Sequence, residues 1–421
     1  MGSFACSLSQ VLVPGAPTAM WLQDSEAAAK FRQRGFLLVA DLASVFLFSG
    51  IIFGWAPLSA VLVDEGFYSH QCVDEPAPCD AQANSLNLAF TIGSTAVSFL
   101  SIPAGMLVDK FGPAVGTVVA AVLEISGLIG IAVCEDVNRE TGFDLFLVSF
   151  TMISVGGAFT MFNAYSAPFL FKSSMNVVIE LTACLFDGSC IIFTFFKMAY
   201  DAGVPFSTLW WFFVGLAGGV YALLILAWIV NAKELKESRA VDSTPSAEEA
   251  KSPHADSLPS KPLLEQVRTL EFVAVCLYAA IQVPRSNLYL GSVDLTNREY
   301  ALLYDWPDVD RVISIIGLII PLGFAAVPFI EVSIHYLDLI GTFLVCSALG
   351  LLYNILQLVP AQSAQLLGAV VFAAFRAFLF SILAAFNGAT FGPTSMGSIM
   401  GLCMFVSSIV NLGQAPNAPC R

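Results

Sequence analysis

Charge is what this chain has least of. Asp, Glu, Lys and Arg make up 12% of its 421 residues, against about 25% in a soluble globular domain. Basic residues are the scarcer sign, 18 against 32 acids, and the formal net charge is −14. A nucleic-acid surface requires a basic face, so nucleic acid is excluded as a partner. His70, His254 and His335 lie far apart, and no metal-ligand spacing appears. No phosphate-binding loop and no nucleophile–base motif stands outside the apolar stretches, so neither an enzyme nor a cofactor or metal site is expected. No filter-like loop of glycines suggests a channel, and no N-x-[ST] sequon occurs.

Apolar residues fill the chain instead. They amount to 57%, and the mean hydropathy is +0.79. A bilayer core of ~30 Å needs ~20 apolar residues per helix. Segments of that kind recur at 36–62, 86–108, 114–134, 144–171, 176–199 and 207–231. They resume at 267–291, 310–330, 336–358, 364–387 and 394–414. The expectation is an all-α polytopic membrane protein of eleven helices.

Residues 232–265 differ in kind, with Ser, Pro, Glu and Lys dominating. Such a stretch cannot bury enough apolar area to fold alone. The organisation expected is a tail over 1–35, a six-helix bundle over 36–231, a linker over 232–265 and a second helical bundle over 266–421. With the N-terminus in the cytoplasm, eleven Lys and Arg fall inside and five outside. That bias places the tail and the linker in the cytoplasm. The second half holds five helices against six, which suggests that a twelfth helix is missing. The loop at 63–85 is then external and oxidising, where Cys72 and Cys79 form a disulfide or remain two free thiols. An acidic external loop with two cysteines favours a plasma or secretory-pathway membrane.

Between the second and third segments the chain reads GMLVDKFGP. Gly105, Asp109, Lys110 and Gly112 give the spacing G-x-x-x-D-K-x-G. This resembles the loop signature of the major facilitator superfamily, although Pro113 stands where that signature has a base. The resemblance implies two bundles that rock about a central site. It also implies a gate in which Asp109 faces the positive end of the eleventh helix, near Pro393-Thr394-Ser395. Otherwise the motif is a solvated tight turn.

Longer stretches resemble the solute carrier 43 family: 53–72, 86–113, 197–206 and 375–402. That family implies sodium-independent carriage of large neutral amino acids or, in another branch, of purine nucleobases. Two departures from it are FKSSMN at 171–176 and IEVSIHYL at 330–337, which carries no Lys or Arg. They weaken the expectation of a second cytoplasmic gate. A transporter-like sensor or scaffold is the alternative of a different class. The partners expected are a small-molecule substrate and membrane lipid, with no obligatory protein partner.

Ionisable groups inside hydrocarbon are costly, so each is a functional candidate. Arg376 lies mid-way along the tenth helix. Arg285 follows Pro284 in the seventh, near Gln282 and Asn287. Both arginines match family positions and could hold a substrate carboxylate, or could pair with an internal acid. Asp187 and Glu124 are the acids available to balance an Arg or carry a proton. Asp41 and Glu180, nearer the cytoplasmic end, are expected to reach lipid headgroups. Asn163 and Tyr165 put polar groups into the fourth helix, whose Gly156-Gly157 and Pro168 make it easy to bend. Ser49-Gly50 and Gly54 do the same for the first helix. Bent helices line transporter sites, or else such small residues serve close helix packing.

Overall fold

A computed structural model describes residues 25–73, 76–77, 79–141, 144–171, 174–242 and 258–412. The first 24 residues, Lys172 and Ser173, much of the linker and the last nine residues lie outside the described residues, so the tail, the centre of FKSSMN and the linker's middle are not described.

Among the described residues, eight helical stretches are long and apolar enough to cross a membrane, and the eleven expected runs all fall in helix. Helix 1 starts as Ser25–Ser44, passes through a π-helical turn (Val45–Ser49) and a 3-10 turn (Ile51–Phe53), and ends as Trp55–Asp64. Helices 2 and 3 are Asp80–Phe111 and Pro113–Thr141. Helix 4 is Leu145–Ala164 with a 3-10 extension, Ala167–Leu170. Helix 5 is broken into Met175–Gly188 and Ile191–Asp201, and helix 6 is Phe206–Asp242. In the second half, helix 7 is Leu270–Tyr304, helix 10 is Gln362–Phe391 and helix 11 is Met396–Leu412.

Helices 8 and 9 follow one another directly, with a single non-helical residue between them. Helix 8 begins as Val309–Ile319, tightens to 3-10 over Ile320–Ala326 and continues into Val327–Gln357. The chain reverses inside that last piece at Asp338, where φ is 57° and ψ is 179°. The Ser333 and Thr342 hydroxyls lie 3.1 Å apart across the reversal, whereas nine residues of straight helix would separate them by about 13 Å. The loop expected over 331–335 is therefore helical, and the turn sits three residues later. A positive φ with an extended ψ turns the chain sharply between two helical stretches, a conformation that is costly for any residue with a Cβ.

Punctuation follows local chemistry. Gly112 (φ 86°) ends helix 2 and Pro113 starts helix 3. Gly392 (φ 78°) ends helix 10, again followed by Pro393. Only glycine adopts such angles without strain, and proline suits a helix start. The Pro113 that displaces a base from the signature thus acts as a helix starter. Helix 6 runs to Asp242, beyond its expected end at 231. Arg34 of helix 1 forms an ion pair with Glu234 there.

On the opposite face the helix 1–2 loop is closed by the Cys72–Cys79 disulfide. Tyr68 donates to Asp144 Oδ2 at 2.7 Å, while Asp144 Oδ1 accepts from the Leu147 amide and caps helix 4. Burial and the Asp144 carboxylate push the Tyr68 hydroxyl well above its usual pKa, so it stays a donor.

Helices 1 to 6 pack as one group around Phe48, Phe146, Phe150, Trp210, Tyr221 and Trp228. Helices 7 to 11 pack around Tyr353, Phe372, Phe375 and Phe391. The groups meet where helix 2 crosses helix 11 and where helix 5 packs on helices 8 and 10.

Candidate functional site

Two places along this seam concentrate polar chemistry. The first is at mid-membrane, where helices 1 and 5 are both broken. A Cβ on Gly50 would lie 2.2 Å from the Phe186 carbonyl oxygen, and one on Gly54 would lie 2.2 Å from that of Cys190. The two backbones can approach only because both positions are glycine. The Gly50 amide donates to Ser189 Oγ at 2.8 Å. This contact sets Asp187, just before the break in helix 5, against helix 10.

There Arg376 Nε donates to Asp187 Oδ1 at 2.7 Å, and the two side chains are 4% and 3% exposed. The guanidinium lies 5.4 Å from the ring centres of both Phe53 and Phe380, within cation–π range. Phe186 packs edge-on to both rings. Arg376 Nη1 and Asp187 Oδ2 have no hydrogen-bond partner among the described residues. Because buried polar atoms are nearly always satisfied, these two mark where a ligand group of matching polarity would bind.

The second place is the basic face, where helix 2 crosses helix 11. A Cβ on Gly105 would sit 2.1 Å from the Gly397 carbonyl oxygen. At that closeness Asp109 reaches the start of helix 11. Its Oδ1 accepts from the Gly397 amide at 3.2 Å, and its Oδ2 accepts from the Ser398 amide and hydroxyl, each at 2.7 Å. A carboxylate of one bundle thus caps a helix of the other, satisfying orphan amides and the helix dipole together. Beside it, Ser395 donates to Gln266 Oε1 at 2.6 Å, and the Gln266 amide donates to the Leu258, Lys261 and Phe391 carbonyls. The linker's end is thereby tied to the helix 10–11 turn.

The remaining expected residues fall elsewhere. Arg285 donates to Gln282 Oε1 at 2.6 Å and to the Gly350 carbonyl at 2.9 Å, which ties helix 7 to helix 9. Asn287 is half-buried further along helix 7. Asn163 faces helix 3, where its Oδ1 occupies the space a Gly116 Cβ would need. Tyr165 lines the gap beside Asp109 and Met396. Glu124 packs on Gly156 within the first bundle, away from both arginines' ion-pair and hydrogen-bond partners. Asp41 and Glu180, expected to reach headgroups, are instead fully buried. Their helix faces turn toward other helices, and a carboxylate on a short stem cannot bypass them. Lys110 lies over the Phe111 ring in a groove shared with Lys261 and Thr394. Ser398, Gln266 and Ser189 were not foreseen. The one signal for Ser398 was its closeness to the Phe-Gly-Pro turn at 391–393, and Gln266, 125 residues from Phe391, carried none.

No family model matches the chain. It is 24% identical to Protein FMP42 of Saccharomyces cerevisiae, over 87% of this chain and 85% of that one. It is 30% identical to the human large neutral amino acids transporter small subunit 3, over 48% of this chain and 38% of that protein. It is 27% identical to the bovine equilibrative nucleobase transporter 1, over 40% and 35%. The chain therefore spans well under half the length of these last two relatives. Among solved structures, it superposes on a proton:xylose symporter with a TM-score of 0.60 at 13% identity, over 90% of this chain and 86% of that one. It superposes on a human organic anion transporter with a TM-score of 0.54 at 14% identity, over 91% of each.

Proposed function

We propose that this chain, which belongs to the major facilitator superfamily, carries a neutral, bulky organic solute across a membrane by rocking its two bundles about the Arg376–Asp187 pair. A large neutral amino acid fits that pair best. The free Arg376 Nη1 would meet the carboxylate, the free Asp187 Oδ2 the ammonium, and Phe53, Phe186 and Phe380 an apolar side chain. The observation that carries the reading is a buried pair offering one unmet donor and one unmet acceptor between aromatic rings. The relative named for large neutral amino acids supports it. The same rings suit a flat heterocycle, and a second relative is named for nucleobases, so a purine is the other reading. In either case Asp109 on helix 11 closes the cytoplasmic side in the state described. The disulfide in the opposite loop fits an oxidising compartment, hence a plasma or secretory-pathway membrane.

Purified protein in liposomes, offered labelled leucine and labelled adenine, tests this. Uptake of leucine alone supports the amino-acid reading, and uptake of adenine alone replaces it with the purine. Folded protein that carries neither overturns both and leaves a sensor or scaffold.

A further inference from the structure

Helix 11 is held between helix 2 of the first bundle and helix 7 of its own. Gly397 and Gly401 face helix 2. A Cβ on Gly401 would lie 2.4 Å from the Ser101 carbonyl oxygen, and the Ser101 hydroxyl donates to the Gly401 carbonyl at 2.9 Å. Two residues on from Gly401 is about 200° round the helix, so Cys403 faces the other way. There its sulfur lies 3.2 Å from that of Cys276 on helix 7. Both side chains are buried. Each lies about two turns inside the start of its helix, on the side where Asp109 caps helix 11.

The other buried thiols are placed differently. Cys184 Sγ is 3.7 Å from Ser381 Oγ, and Cys346 Sγ is 3.9 Å from the Phe375 carbonyl oxygen. Between Cys276 and Cys403, closing to the ~2.05 Å of a disulfide takes about 1 Å of approach, small enough for side-chain rotation and slight helix motion. The rotation of helix 11 is held on both sides, by Ser101 on Gly401 and by the Asn387 amide of helix 10, which donates to Met400 Sδ at 3.4 Å. The compartments differ too. Cys72 and Cys79 are joined on the opposite face, whereas Cys276 and Cys403 are free thiols toward the cytoplasmic side. Thiols there are kept reduced, and a disulfide that does form is usually transient and redox-sensing.

We propose that Cys276 and Cys403 are a redox-active dithiol that a hydroperoxide oxidises to a disulfide joining helix 7 to helix 11. Cys276, the less completely buried of the two, attacks first. Its sulfur bonds one peroxide oxygen, the O–O bond breaks, and the leaving hydroxide carries off the thiol proton as water. Cys403 then attacks the sulfenic sulfur, the S–O bond breaks, and the departing hydroxide takes the Cys403 proton as a second water. The two sulfurs lose two electrons and the peroxide gains them. A resolving thiol in contact ends the sequence at the disulfide, before the irreversible sulfinic acid. Hydrogen peroxide is small and uncharged, so it enters an apolar seam that a charged reagent does not. The bond lies within one bundle, so it does not bar rocking. It fastens helix 11, whose first amides Asp109 caps, to helix 7. The inference needs neither the cargo nor the alternation proposed above.

Full-length protein in lipid nanodiscs is treated with hydrogen peroxide, denatured into N-ethylmaleimide to stop exchange, digested without reductant and read by mass spectrometry. The expected product is one linked peptide pair, Cys276 with Cys403. Dithiothreitol should return it to two thiols, and Cys184 and Cys346 should stay unlinked. In Cys403→Ser the linked pair should be lost and Cys276 caught as a sulfenic acid by dimedone, with Cys403→Ala replacing that variant if it fails to fold. Folded wild-type protein in which both thiols remain alkylated overturns the proposal. So does Cys276 found unlinked as sulfinic acid, or either thiol paired with a different cysteine, or Cys403→Ser without the dimedone adduct. No cargo is present, so this outcome stands apart from the uptake test.

Discussion

At the scale of single residues, the Arg376–Asp187 contact is the most consequential bond between the bundles. Removing one member of a buried pair strands the other's charge and costs about 3–5 kcal/mol. Arg376→Gln and Asp187→Asn are each expected to lower thermal stability and abolish uptake. The double variant Asp187→Asn/Arg376→Gln should regain most of the stability and none of the uptake. A double variant that transports normally would remove the pair from the site. Asp109 makes a different prediction. Asp109→Ala deletes three charge-assisted hydrogen bonds to the start of helix 11, each worth about 1.5–3 kcal/mol in folded proteins. Much of that loss is confined to the closed state, because an open Asp109 is hydrated. Cytoplasmic labelling of the helix 2–11 crossing should therefore rise at least about tenfold. An unchanged rate would mean that Asp109 does not hold the gate.

Asp109 was legible, and the resemblance pointed it at the start of helix 11, but not at Gly397 and Ser398 in particular. The motif spacing picks out the carboxylate, and the sequence near 393–395 marks where a helix begins. Nothing in the chain says that the bond goes to Ser398 rather than to water. Arg376 and Asp187 were each legible as anomalies, because charge in an apolar run stands out. Their pairing was not, since 189 residues separate them. Asp41 and Glu180 failed the reading because distance from a helix end says nothing about which way a side chain faces.

At the scale of elements, close approach depends on glycine. Helix 2 meets helix 11 backbone to backbone at Gly105 and Gly397, and a methyl group has no room there. Gly105→Val should force the pair apart at a cost of about 1–3 kcal/mol, favouring the cytoplasm-open state. Comparing labelling in Gly105→Val and Gly112→Val separates packing from backbone strain, because a Cβ on Gly112 meets nothing within 4 Å. Gly112→Val instead strains a left-handed turn and should lower stability with less effect on the gate. Equal shifts in labelling would refute the packing account. The breaks in helix 1 were readable from Ser49-Gly50 and Gly54. The break in helix 5 was not, because Gly188-Ser189-Cys190 carries no proline and only tertiary contact with helix 1 keeps it open.

At the scale of the whole molecule, the two cytoplasmic contacts must open together if the bundles move as bodies. One is capped by Asp109, and the other is the packing of helix 5 on helices 8 and 10. Lys110 of the first bundle and Lys261 at the linker's end line one groove. A short amine-reactive cross-linker between them should tie the bundles shut and stop uptake. Lys110→Ala should be resistant, and loss of uptake in that variant would place the effect on another amine.

The sequence by itself determined the solvent and the helices. Those depend on properties summed over neighbouring residues: apolar length, scarce charge, and Gly and Pro at the turns. It also placed Gly112 as a stop, since a left-handed turn is a local demand. Only the tertiary structure decided which buried acid meets a cation and which does not. A helix shows a different face every residue, and the face that turns inward is set by packing against helices far away in the chain. Asp187 and Glu180 lie two turns apart on helix 5, yet one meets Arg376 of helix 10 and the other, equally buried, has no hydrogen-bond donor among the described residues.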